Sequence, residues 1–292
     1  MCSDMETGIE YKYIVLDYKE NVCIVTVNRE KNLNALNSEV LDELSNVFED
    51  LELNDSVKVI IITGAGKKAF VAGADISEMV SSIPSQAIHF ARKGQNLIRY
   101  MENMKKPIIA VVNGFALGGG LELALGCDFI YASDNAKLGF PEVTLGIMPG
   151  FGGTQNLSRL IGANKAKELI FTGKMIGVDN AHEWGIVNAV FSQEKLMDES
   201  LKTAKIISRN GLVAIGFAKE VISRGLNMSK DDAFKYESSI FSALFSTEDQ
   251  KEGMNAFLEK RKPDFKNNSR RSAPSWSSAS AVRLSTQSPS LA

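Results

Sequence analysis

The chain has 292 residues, 44% hydrophobic and 23% charged, which is enough for a substantial core in one or two domains. A net charge of -2 leaves no nucleic-acid footprint, and no apolar run approaches the ~20 residues of a membrane span. The start, MCSDMETGIEY, lacks a basic region followed by an apolar core, and Cys2, Cys23 and Cys127 are odd in number and far apart. Both features fit a reducing, cytoplasmic setting better than a secreted disulfide framework.

Tyr13 to Tyr18 and Val22 to Val27 read as a β-hairpin, with Lys19-Glu20-Asn21 between them. After a polar loop, Val40, Leu41, Leu44, Val47, Phe48 and Leu51 have helical spacing, and Ser38 is a fair N-cap. Val57 to Thr63 reads as a buried strand, Gly64 to Asp75 as a loop of small side chains, and Ile88 to Met104 as an amphipathic helix.

Pro107 then opens the stretch around which the chain is organised. Ile108 to Val112 is too short for a helix and reads as a buried strand, broken by Asn113 and Gly114. Gly118 to Gly120 follow, then a helical pattern from Leu121 to Cys127 with one acid, Glu122, in its first turn. Twenty positions on, Glu142 follows Pro141. Glycine admits close approach of a ligand to the backbone, and a helix start presents unpaired N–H groups. A carboxylate in an apolar turn is costly unless it has a partner or a task. Together these suggest an oxyanion hole beside a general acid/base. Read alone, the stretch also fits a tight turn with a surface Glu.

Phe129 to Ala132, Lys137 to Phe140 and Ile186 to Phe191 read as strands; Leu157 to Ile161, Ala163 to Thr172 and Ala181 to Trp184 read as helices. The order is a layered α/β pattern with mostly parallel pairing. From Leu196 the chain turns helical: Leu196 to Ser208, Gly211 to Arg224, Lys230 to Phe245 and Thr247 to Arg261. The end is rich in Ser with no apolar period, too poor in apolar surface to order itself.

Several motifs fail. A phosphate loop ending at Gly66-Lys67 needs Gly at Ile61 and Ser or Thr at Lys68; GxGxxG needs Gly at Leu123 or Gln155. His89 and His182 stand far apart without nearby cysteines, so no metal site is expected. No GxSxG is present.

Four segments occur in order: KAFVAGADIS from Lys68, NGFALGGGLELA from Asn113, FPE from Phe140, and GIMPGFGGTQ from Gly146. Together with KEGMNAFLEKRKPDF from Lys251, this resembles the crotonase superfamily, and within it the enoyl-CoA hydratases, over Tyr13 to Phe265. The resemblance implies a spiral of ββα units over residues 8–195 and a helical oligomerisation module over 196–265, leaving 266–292 as a disordered tail with the look of a cloning read-through. It implies an acyl-CoA substrate, a homotrimer or dimer of trimers, and no cofactor beyond the coenzyme A that enters with the substrate. Nucleic acid and membrane partners are not expected. Glu122 and Glu142 would be the catalytic carboxylates, and the backbone N–H groups of Ala74 and Gly119 would hold the thioester oxygen. Ala72, Gly73, Asp75, Ile76, Ser77 and Gly118 would line the coenzyme A channel. Lys31, Leu33 and Ala35 would border the adenine and pantetheine, and Phe257 and Lys260 would reach the nucleotide end. One departure is the loop Arg29-Glu30-Lys31-Asn32, where the family often has Pro second and Ala fourth. Two acids favour hydration of a short enoyl-CoA; an isomerase, another acyl-CoA lyase of this type, and a non-catalytic acyl-CoA- or RNA-binding scaffold are the alternatives.

Overall fold

The computed structural model of the chain describes residues 11–267. The readings of the N-terminal segment and of nearly all of the tail lie outside the described residues.

The hairpin forms from β1 (Ile14–Lys19) and β2 (Val22–Val27), with Glu20 at φ 57 turning the chain between them. Helix α1 (Ser38–Leu53) is capped by Asn37, whose side chain accepts from Val40 N, so Ser38 is the first helical residue rather than the cap. After β3 (Val59–Gly64), the stretch read as a loop contains a short strand, β4 (Ala69–Ala72), and then the single-turn α2 (Ile76–Met79). Helix α3 (Pro84–Asn103) starts four residues before its periodic face, because Pro84 fits the first helical position and the Gln86 side chain accepts from Ile83 N. It buries Gly94, Leu97, Ile98 and Met101, a one-sided stripe.

The chain continues through β5 (Ile108–Val112), β6 (Phe115–Leu117), α4 (Gly119–Leu125), β7 (Phe129–Ser133) and β8 (Lys137–Gly139). Then come α5 (Gly153–Ile161), α6 (Ala163–Thr172), β9 (Met175–Gly177), α7 (Val178–Glu183) and β10 (Ala189–Phe191). Helices α8 (Leu196–Ser208), α9 (Leu212–Gly225), α10 (Lys230–Leu244) and α11 (Glu248–Leu258) complete it. No helix among the described residues is long and apolar enough to cross a membrane.

Two sheets result. The larger runs β1-β2-β3-β5-β7-β10 and is parallel beyond the hairpin; the smaller runs β4-β6-β8-β9, parallel except at β9. Strands β3 and β5 are apolar at nearly every position because both sheet faces are covered. Ile60 and Ile62 face the main core with Leu44, Phe48 and Met101, while Val59 and Ile61 face Leu196 and Ala204 of α8. Helix α8, the first of the expected helical module, packs on this sheet face, whereas α9 and α10 pack on each other.

The smaller sheet builds the site. Its strands share one rung, Ala72 opposite Leu117 opposite Gly139. The Asn113 side chain ties the entry to β6 onto the preceding strand loop, donating to Gly64 O at 2.9 Å and Gly66 O at 2.8 Å. Gly120 allows α4 to lie directly on β4: a Cβ there would stand 2.0 Å from Val71 O, so any side chain is excluded.

Candidate active site

Three loops leave the shared rung at their strands' C-terminal ends. Ala74 comes two residues after Ala72, Gly119 two after Leu117, and Glu142 three after Gly139. The sheet register thus brings together residues separated by almost seventy positions.

At Ala74 the backbone makes an isolated parallel bridge with Leu36. Leu36 N donates to Gly73 O at 2.9 Å, and Asp75 N donates to Leu36 O at 2.7 Å. A trans peptide points its N–H opposite to its C=O. Because the Gly73 carbonyl faces Leu36, the Ala74 N–H faces the other way, toward the side on which β4 pairs with β6.

Gly118 has φ 49 and ψ -124, a combination open to glycine and strained for other residues. Its N–H is used by Gly139 O at 2.9 Å, and its C=O accepts from Glu122 N at 3.0 Å. That bond is the first of α4, so the amides of Gly119, Gly120 and Leu121 precede any intrahelical acceptor.

Glu122 is 2% exposed. Its Oε1 accepts from Phe151 N at 2.8 Å and Gly153 N at 2.7 Å, so both bonds fall on one oxygen. Burial pushes its carboxyl up to about 7, against the pull of these amides and with the charge of Glu142 adding to the rise. Glu142 lies in a 3-10 turn, Pro141–Leu145, and burial raises it to about 6. Its Oε2 is buried without a hydrogen-bond partner. A Cβ on Gly118 would stand 2.7 Å from Glu142 Oε1, which places this carboxyl at the same glycine corner that receives the Glu122 amide.

The remaining residues singled out from the sequence divide into two groups. Ala35, Ala72, Gly73, Asp75, Ile76, Ser77 and Gly118 gather around the Leu36–Ala74 bridge, and Leu33 O accepts from Ala72 N at 3.0 Å. Lys31 is exposed in the turn just before, Glu30–Asn32. The Asp75 carboxylate is not free: it pairs with Arg29 at 3.0 Å and caps α2 through Ser77, which together hold it below its usual range. Phe257 and Lys260 are not brought to these loops. Phe257 is 82% exposed, and neither side chain is hydrogen-bonded or ion-paired to the loops among the described residues. The amides that hold Glu122 are the functional groups sequence reading missed. Their only trace was the glycine-rich run Gly150-Phe-Gly-Gly, since a backbone donor has no side-chain signature.

A spiral of ββα units carrying a buried carboxylate, Glu122, within reach of the charge of a second, Glu142, set against Gly118, defines a crotonase-type protein. The profile of the enoyl-CoA hydratase/isomerase family matches residues 17–268. The chain belongs to that family. It is 48% identical over 260 residues to the short-chain-enoyl-CoA hydratase of Clostridium acetobutylicum, covering 89% of this chain and 100% of that one. It is 46% identical over 255 residues to the crotonyl-CoA hydratase of Syntrophomonas wolfei, covering 87% and 98%. Among solved structures, the enoyl-CoA hydratase of Bacillus anthracis superposes with a TM-score of 0.85 at 40% identity, covering 88% of this chain and 100% of that one.

Proposed function

We propose that the protein catalyses the reversible hydration of a short-chain trans-2-enoyl-CoA, interconverting crotonyl-CoA and 3-hydroxybutyryl-CoA. The observation that carries this reading is the pair of acids, Glu122 buried on two loop amides and Glu142 against Gly118, both raised toward neutrality. At pH 6 to 7 such a pair shares about one proton; Glu122, raised further, holds it more of the time, and the reaction draws on the form in which it sits on Glu142.

The thioester oxygen receives the N–H groups of Ala74 and Gly119, which stabilise the negative charge as the enolate forms. Glu122, ionised and steadied on Oε1 by two amides, takes a proton from water as its oxygen bonds to the β-carbon. Glu142, protonated, gives its proton to the α-carbon. The proton finishes on Glu122 rather than Glu142, and exchange with solvent resets the pair. In reverse, Glu142 takes the α-proton while Glu122 returns a proton to the departing hydroxide. Coenzyme A arrives as part of the substrate, held by Ala35, Ala72 to Ser77 and Gly118, and the chemistry is acid–base throughout.

The reading extends to assembly and place. Phe257 and Lys260 complete the nucleotide end in a neighbouring subunit of a homotrimer, or of a dimer of trimers. Exposed Leu226, Phe241 and Phe257 on the last three helices support such burial, and free Cys23 and Cys127 support a cytoplasmic location. The deciding experiment measures hydration across a ladder of enoyl-CoA chain lengths. Turnover of crotonyl-CoA that falls as the chain lengthens is expected; no hydration of any member would overturn the reading.

A further inference from the structure

We propose that Arg29 is a positioning residue that fixes the direction of the Ala74 amide and so tunes the polarisation of the bound thioester carbonyl. The inference rests on the hydratase reading and adds to it a group that touches neither substrate nor reacting atoms.

Arg29 follows β2 by two residues, and its main chain is anchored first. Its N–H donates to Asn34 Oδ1 at 3.0 Å, and its C=O accepts from Asn32 N at 2.8 Å and Asn34 N at 3.0 Å. Asn34 is itself buried, donating through Nδ2 to Ala65 O and Ala69 O. The guanidinium is then aimed at a defined place. One terminal nitrogen donates to Ala35 O at 2.6 Å and the other to Asp75 Oδ2 at 3.0 Å, while the Tyr13 ring centre lies 5.1 Å from Cζ.

The two acceptors flank the bridge. Ala35 immediately precedes Leu36, and Asp75 immediately follows Ala74. The fork therefore staples both sides of a bridge that otherwise rests on two backbone hydrogen bonds. The Gly73–Ala74 peptide lies in that bridge, and its plane sets where the Ala74 N–H points. Beyond it α2 is a single turn, largely exposed, tied to the start of α1 through Ser38 N donating to Glu78 Oε2 at 2.9 Å. The Arg29 side chain is 10% exposed and Asp75 16% exposed, with the charges paired to each other. A guanidinium so covered and engaged is not presented to a nucleotide phosphate. Its geometry also excludes a simple lysine equivalent, because an ammonium is a point charge that lacks the planar fork.

The test uses the full-length protein, with Arg29→Met, Arg29→Lys and Asp75→Asn. Asp75→Asn keeps an oxygen to cap Ser77 while removing the ion pair, and it carries the test should Arg29→Met fail to fold. The probe is an aryl-conjugated enoyl-CoA, whose absorbance moves to longer wavelength when its carbonyl is polarised by hydrogen bonds. We expect the parent to shift the probe, Arg29→Met and Asp75→Asn to lose roughly half or more of that shift, and crotonyl-CoA kcat to fall about tenfold or more. In Arg29→Met, affinity for free coenzyme A should stay within about twofold, and Arg29→Lys should recover part of the shift. A full shift retained in folded Arg29→Met or Asp75→Asn overturns the proposal, even if turnover drops. A parent that does not shift the probe instead sinks the hydratase reading, and the proposal with it.

Discussion

Replacing Glu122 by Gln should abolish activity and yet stabilise the fold at alkaline pH. The side chain keeps its shape, and an amide oxygen can still accept from Phe151 N and Gly153 N. What is removed is a charge in a buried place. The carboxyl rises from 4.5 to about 7 on folding. A carboxyl with a raised folded pKa is held more tightly protonated in the native state, so folding binds a proton between those two values. The native state is therefore unpenalised below about pH 4.5, loses stability as pH rises through the window, and bears the full penalty above about 7. That penalty is about 3 kcal/mol. In a domain of this size about 1 kcal/mol moves Tm by roughly 2–4 °C, so the variant should melt several degrees above the parent at pH 8. Near pH 5 the two should nearly coincide. The assay is thermal unfolding of both proteins from pH 5 to pH 8, alongside loss of the enoyl thioester absorbance with crotonyl-CoA. Turnover should fall by about a hundredfold or more with the base removed. A stability difference that does not grow with pH, or a variant that hydrates crotonyl-CoA near the parent rate, refutes the reasoning.

Three further outcomes follow from the same site. The kcat/KM for crotonyl-CoA should be bell-shaped in pH, falling below about 6 as both acids hold protons and above about 7 as both lose them; a flat profile from pH 5 to 8 would contradict the one-proton pair. Gly119→Pro suits the first position of α4 but deletes one proposed oxyanion donor, so steady-state kinetics should show kcat reduced by about 10²–10³ with near-parental helix content by circular dichroism. Gly118→Ala places a Cβ 2.7 Å from Glu142 Oε1 and forces φ 49 on a residue ill suited to it. It should cost about 1–3 kcal/mol in unfolding measurements and lower kcat more than it raises KM.

How much of this was legible depended on the length of the signal. Strands β3 and β5 are continuous apolar runs, and the stripe Val40 to Leu51 is unmistakably helical, so the larger sheet and α1 could be read directly. The smaller sheet was partly hidden because its strands are three or four residues long. Ala69 to Ala72 reads as loop because glycines crowd it on both sides, and Phe115–Leu117 and Met175–Gly177, at three residues, are too short to establish an alternation. Glu122 stood out as an acid in an apolar turn, but its partners are main-chain amides 29 and 31 residues away. Arg29 looked like one more charge in a polar loop, because only the fold brings Asp75, 46 positions distant, within reach. Helix α8 opens the helical stretch by its composition, and only the fold shows Leu196 and Ala204 packing on the far face of the larger sheet.

The common rung Ala72–Leu117–Gly139 has a consequence for how such a protein can change. Ala74 and Glu142 each hang from a short tether of their own beyond a shared fixed line, and Gly119 and Glu122 share a third, so lengthening one tether by a single residue displaces what it carries by about 3 Å and leaves the others anchored. The scaffold behaves as a set of independently adjustable arms, and new chemistry on the same thioester can be reached by editing one arm at a time.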